Sequence, residues 1–150
     1  MSERFVVATD GSTPSDAAVG LALSLASKHG AEVLFIHAID DPAIFAATAN
    51  MPIDPTSTLR ALETAGSTLL KAAAERANLE RIHAETRLMH GDPVDSILNG
   101  ARDWNADLIV IGTHGRRGLA HFFLGSTTER LLQRSPIPVL VTKEPPKTSA

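Results

Sequence analysis

The sequence predicts a single α/β domain in which a mainly parallel sheet carries helices on both faces. Three observations predict it. Short β-like apolar runs alternate with longer segments of helical period along the whole 150-residue chain. One run, Leu108-Ile109-Val110-Ile111-Gly112, is continuously apolar, as a strand buried on both faces would be. No internal repeat or linker interrupts the series, so one domain accounts for the chain.

The elements follow in order. Phe5 to Thr9 is the first strand, stopped by Asp10-Gly11-Ser12. Thr13 caps the next helix, with Pro14 in its first turn and Asp16 near its positive end. Ala18, Leu21, Ala22, Leu25 and Ala26 keep helical spacing up to a stop at Gly30. Glu32 to Ile39 is the second strand. Residues 40–57 are broken by Asp40-Asp41-Pro42 and Met51-Pro52-Ile53-Asp54-Pro55, and read as a flexible excursion or lid around a short Ala-rich segment. A long amphipathic helix runs through Leu59, Leu62, Leu69, Leu70, Ala73 and Ala77. Ile82 to His90 alternates like a half-exposed strand. Gly91-Asp92-Pro93 opens a helix with Val94, Ile97, Leu98 and Ala101 inside. After the 108–112 strand and a glycine-rich stretch, Ser126-Thr127-Thr128-Glu129 forms a capping-box pattern before Leu131 and Leu132. Ile137 to Thr142 is the last strand, and residues 144–150 read as a loose tail.

Composition narrows the function classes. Hydrophobic residues make up 43% and charged residues 21%, which is ordinary globular usage. Fourteen basic against seventeen acidic residues leave a net charge of −3, without the basic excess of a generic nucleic-acid binder. There is no cysteine, which excludes disulfides, zinc–thiolate sites and thiol catalysis. No apolar run approaches the ~20 residues of a membrane span or a signal-peptide core, so the cytoplasm and no membrane insertion are expected. The six histidines form no H-x-x-x-H or H-E-x-x-H pair, so no metal site is expected. Trp104 is expected to anchor packing.

In open parallel sheets, ligands sit beyond the carboxyl ends of strands, where the strand order reverses. Two glycine-bearing segments follow buried strands: Asp10-Gly11-Ser12 and Gly112 to Thr127. The second holds Gly112-Thr113-His114-Gly115-Arg116-Arg117-Gly118 and ends in Gly125-Ser126-Thr127. Glycine permits inward-turned backbone N–H groups, and a helix N-terminus favours anions, so the segment suits a phosphate. The hydroxyls of Ser126 and Thr127 either donate to phosphate oxygens or cap the helix. Arg116 and Arg117 either grip phosphates or lie solvated. Asp10 is read as a ribose ligand, a magnesium contact or a turn residue, and its place after a buried strand favours the site. There is no Gly-Lys pair for a Walker loop, and no G-x-G-x-x-G after the first strand.

The spacing Gly112-x2-Gly115-x9-Gly125-Ser126 resembles the nucleotide-binding signature of the ATP-binding universal stress proteins. The likeness extends to Thr9-Asp10-Gly11-Ser12, His37-Ala38-Ile39-Asp40, Gly91-Asp92-Pro93 and Pro138-Val139-Leu140-Val141, across residues 1–143. The resemblance implies a Rossmann-like, three-layer sandwich with a five-stranded parallel sheet in the order 3-2-1-4-5. It implies ATP, ADP or AMP as ligand, with Mg²⁺ accompanying the triphosphate. Thr9 and Asp10 would then lie at the nucleoside and phosphate end of the first strand, and Ala38 would present backbone to the adenine. Gly112, Thr113, His114 and Gly115 would wrap ribose and phosphates, and Gly125, Ser126 and Thr127 would hold the phosphate chain. Dimers of the family commonly pair through the last strand. Ile137 to Thr142 is apolar enough to be an aggregation hazard at an open edge, so either a second copy covers it or it lies inside the sheet.

The function expected is a stress-response or signalling homodimer whose nucleotide occupancy alters contacts with a regulatory partner. No residue stands out as general base or nucleophile, so no catalytic residue is assigned and at most slow ATP hydrolysis is expected. A small ATP-hydrolysing or nucleotidyl-transferring enzyme on the same architecture is the alternative, but its Ser-Gly-Gly-x-Asp-Ser pattern is missing. A phosphoacceptor receiver domain fits poorly, because only Asp10 follows the first strand and the central strand ends in glycine.

Overall fold

The structure, a computed structural model, describes residues 2–113 and 124–143. Five strands and five helices alternate as β1 Arg4–Ala8, α1 Thr13–His29, β2 Glu32–Ile39, α2 Asp41–Thr48, α3 Pro55–Leu79, β3 Ala84–His90, α4 Pro93–Asp103, β4 Leu108–Gly112, α5 Ser126–Arg134 and β5 Val139–Thr142. The strands form one parallel sheet in the order β3-β2-β1-β4-β5, the expected order.

Side-chain alternation along the central strands divides the core into two layers. Phe5 and Val7 of β1 and Val33 and Phe35 of β2 face α1 and α3, against Leu23, Ala26, Leu70 and Ala73. Val6, Leu34, Ile36 and Ile109 face the other way, onto Val94 and Ile97 of α4 and Leu131 of α5. Trp104 joins this second layer at the end of α4, with the Arg4 guanidinium 5.4 Å from its ring centre. Central strands buried on both faces read as continuous apolar runs for this reason. At the edges the pattern changes: β3 has no fully buried residue, and β5 is half-buried until Thr142.

Three local expectations need correcting. The cap of α1 is Ser12, not Thr13: its Oγ accepts the N–H of Ser15, which places Thr13 and Pro14 in the first turn. The last strand begins at Val139, so Ile137 and Pro138 precede it. The break in regular structure read over residues 40–57 is narrower than expected, since α2 occupies Asp41–Thr48 with Asp40 as its cap and α3 begins at Pro55. Pro42 stands in the first turn of that helix, where a missing N–H costs nothing.

Candidate functional site

β1 and β4 are neighbours in the middle of the sheet, and their connections leave in opposite directions. Beyond their carboxyl ends lies a crevice of about 160 Å³. Its floor is apolar, made by Ala8, Ile36, Ile97 and Ile111, with Pro93 at the start of α4 as one wall. Its rim is polar: Thr9, Asp10 and Ser15 on one side, Thr127 and Thr128 at the start of α5 on the other. A cavity of roughly 150 Å³ holds one benzene-sized ring. This crevice therefore suits a flat ring below and polar substituents above.

The loop after β1 is held by its own side chains. The Asp10 carboxylate accepts the N–H of Ser12 at 2.9 Å, closing the turn into α1. Ser15 Oγ accepts the N–H of Asp10 at 3.0 Å and donates to Thr9 Oγ1 at 2.9 Å. Ala38 lines the crevice from the end of β2. Across the gap, β4 ends at Gly112, whose carbonyl accepts from Thr128 Oγ1 at 2.8 Å. Thr113 follows on the β4–β5 ladder: its N–H reaches the Thr142 carbonyl, and its own carbonyl accepts from Gly125 N–H at 2.7 Å.

Of the residues predicted for the site, Thr9, Asp10, Ala38, Gly112 and Thr127 line the crevice together. Thr113 and Gly125 adjoin it through the bond just described. Ser126 is exposed at the first position of α5. His114, Gly115 and Arg116 lie outside the described residues, as do Arg117, Gly118 and the tail at 144–150.

The capping-box reading of Ser126 to Glu129 needs correcting. Gly125 is the cap, no side chain caps the helix start, and Thr128 is spent on the Gly112 carbonyl. Among the described residues, no capping side chain serves the first N–H groups of α5, beside the crevice. Gly112 also has a packing role. It does not adopt a left-handed backbone; a Cβ there would lie 2.7 Å from the Pro14 carbonyl, so glycine lets α1 approach β4.

Sequence reasoning missed Ser15, Ile36, Ile97 and Thr128 as members of the site. Ser15 was the most legible of these, a small hydroxyl three residues into a helix that opens directly after the first strand.

The walls are tied by two ion pairs between α4 and α5: Arg130 to Asp92 at 3.0 Å and Arg134 to Asp95 at 2.6 Å. Burial of Asp92 acts to raise its pKa. The N–H of Asp95, the Arg130 guanidinium and the N–H of Val94 outweigh it, so the carboxyl titrates below its ordinary range. Among the described residues, no group of three or more His, Asp or Glu side chains could hold a metal ion. His90 illustrates why: its Nδ1 meets Asp41 at 2.8 Å and its Nε2 meets Glu63 at 3.6 Å, on opposite sides of the ring.

A family model described as the universal stress protein family matches residues 1–143. The chain belongs to that family. Universal stress protein MJ0531 of Methanocaldococcus jannaschii is 34% identical over 145 residues, covering 97% of this chain and 84% of that one. Universal stress protein YxiE of Bacillus subtilis is 31% identical over 148 residues, covering 95% and 100%. Among solved structures, the protein MJ0577 superposes with a TM-score of 0.83 at 23% identity over 97% of this chain and 98% of its own, a likeness of fold. A universal stress protein in complex with cAMP superposes with a TM-score of 0.67 at 28% identity, over 96% and 98%. This universal stress protein thus shares its fold with a relative solved in complex with cAMP. No helix among its described residues is long and apolar enough to cross a membrane.

Proposed function

We propose that this universal stress protein binds an adenine nucleotide, ATP with Mg²⁺ in the first instance, in the crevice over β1 and β4. The carrying observation is the crevice itself: a ring-sized apolar floor at the switch point of a parallel sheet, with a helix start on its rim. The base would lie on Ile36, Ile97 and Ile111 and meet the backbone at Ala38. The ribose would meet Thr9 and Asp10. The phosphates would run along Gly112 and Thr113 toward Gly125, Ser126, Thr127 and the start of α5, with His114, Gly115 and Arg116 completing their path. The cAMP-bound relative supports an adenine-bearing ligand.

Mg²⁺ fits as a companion of the phosphates rather than as a resident ion. Magnesium at nucleotide sites uses about one or two carboxylates besides phosphate oxygens. Asp10 is the one carboxylate on the rim among the described residues. No described residue of the crevice is placed as a base for attack by water, so binding rather than turnover is the activity proposed. The nucleotide would alter the contacts of a homodimer paired through β5 with a regulatory protein partner.

Calorimetric titration of nucleotide-stripped protein with MgATP, ADP and AMP tests the reading, with NADH as the control. Saturable binding of one adenine nucleotide per chain, with no heat from NADH, is the expected result. Absence of saturation by all three adenine nucleotides contradicts it. Gly115→Val is expected to abolish that binding without unfolding the protein, because a branched side chain would invade the phosphate path.

A further inference from the structure

The Thr9–Asp10 peptide joins two rim residues of the crevice, and a side chain from outside that loop holds each end of it. Its carbonyl, on Thr9, lies 2.7 Å from Nδ1 of His37, on β2. Its N–H, on Asp10, donates to Ser15 Oγ, on α1, at 3.0 Å. Both ends of one amide plane are thus gripped by side chains, from opposite neighbours, one residue past the end of β1. We propose that His37 and Ser15 are positioning residues that fix the rotation of this peptide plane, and so aim Thr9 and Asp10 into the nucleotide crevice. The proposal rests on the nucleotide reading for its purpose, but not for its geometry.

Two consequences follow from hydrogen-bond chemistry. A carbonyl only accepts, so Nδ1 of His37 must carry a proton, and in neutral imidazole Nε2 is then the unprotonated nitrogen. Ser15 Oγ gives its one proton to Thr9 Oγ1. The Thr9 hydroxyl therefore keeps its own proton to donate, and the ligand atom it meets is an acceptor, as a ribose oxygen or a ring nitrogen is.

The clamp also explains a glycine on α3. A Cβ at Gly66 would lie 2.6 Å from Cδ2 of His37 and 2.9 Å from Cδ1 of Leu88. Glycine there lets α3 close over the imidazole without pushing it off the Thr9 carbonyl. The far side of the histidine borders a second hollow of about 210 Å³ between α2 and α3 that also touches Asp10 and Ala38. His37 therefore stands between the α3 layer and the crevice.

The test uses His37→Asn, whose amide nitrogen can take the place of Nδ1, His37→Leu, which has no donor, and Ser15→Ala. Long-range ¹⁵N–¹H correlation on the wild type reads the tautomer, and amide exchange reads the Asp10 N–H. The expected results are the Nδ1–H form of His37, faster Asp10 exchange in His37→Leu as well as in Ser15→Ala, and near-native exchange in His37→Asn. MgATP affinity should fall about tenfold in His37→Leu and recover in His37→Asn, as expected for loss and return of one partly buried hydrogen bond. An Nε2–H tautomer, or Asp10 exchange unchanged in His37→Leu, overturns the clamp whatever the binding result. Native affinity in His37→Leu overturns its role in positioning. If the wild type itself fails to bind any adenine nucleotide, the nucleotide reading falls and the aiming role with it, while tautomer and exchange still decide the clamp.

Discussion

A methyl group added at Gly112 would meet the backbone of Pro14 at 2.7 Å, so one backbone segment must give way to admit it. Gly112→Ala is therefore expected to destabilise the fold by about 1–3 kcal/mol, the usual range for overpacking. The urea midpoint should fall with an unchanged slope; a native midpoint would show that α1 has room to shift. Thr128 is 2% exposed and bonds the Gly112 carbonyl, so Thr128→Val removes that buried hydrogen bond at a cost of about 1–3 kcal/mol, which Thr128→Ser should restore. A Val variant as stable as the wild type would deny the bond its importance. Both residues stood out in the sequence for another reason. The spacing puts Gly112 in the phosphate loop and Thr128 in a capping box, and shows that a residue is special without showing all that it touches. The packing contact of Gly112 and the hydrogen bond of Thr128 come from Pro14 and Gly112, which are remote in sequence.

At the scale of elements, one rule explains the starts of four helices. Ser12-Thr13-Pro14, Asp40-Asp41-Pro42, Asp54-Pro55 and Asp92-Pro93 each place a capping oxygen just before a first-turn proline. Two of these were legible as starts. The other two were read as breaks, because prolines crowd a short segment and α2 has no buried residue to give it an amphipathic signature. That weakness has a consequence. With no buried residue, α2 meets the sheet through the Asp41–His90 pair, so its amides should exchange faster than those of α3 around Leu70 and Ala73. Equal protection of the two helices in hydrogen-exchange mass spectrometry would contradict this.

Asp92 carries the pH dependence of the α4–α5 wall. Its folded pKa lies below the ordinary aspartate value of 3.8, so its contribution is present above that pH and is lost as pH falls through the folded value. Asp92→Asn keeps a capping oxygen without the charge. It should flatten the rise of stability with pH in the window just below 3.8, measured by urea titration at several acid pH values. An unchanged slope would show that the Arg130 pair contributes nothing there.

For the whole molecule, the alternation of strands and helices made the architecture legible, and the resemblance supplied the strand order. The central strands were clear because burial on both faces leaves a continuous apolar run. The open edge at β5 follows from the same order: its outer side has no neighbouring strand among the described residues, while Val139, Leu140 and Val141 are only half-buried. Pairing of two copies there would cover it. Light scattering should report a dimer that Val141→Lys converts to monomer, and a wild-type monomer at micromolar concentration would exclude the pairing.

The most direct test of the account is the map of backbone amide shifts as MgATP is added to isotope-labelled protein. Shifts should concentrate at Thr9, Asp10, Ala38, Gly112, Thr113 and Thr127, around the mouth of one crevice, and saturate together. Saturable shifts centred elsewhere, with these six unmoved, would contradict the placement of the nucleotide at the β1/β4 switch point.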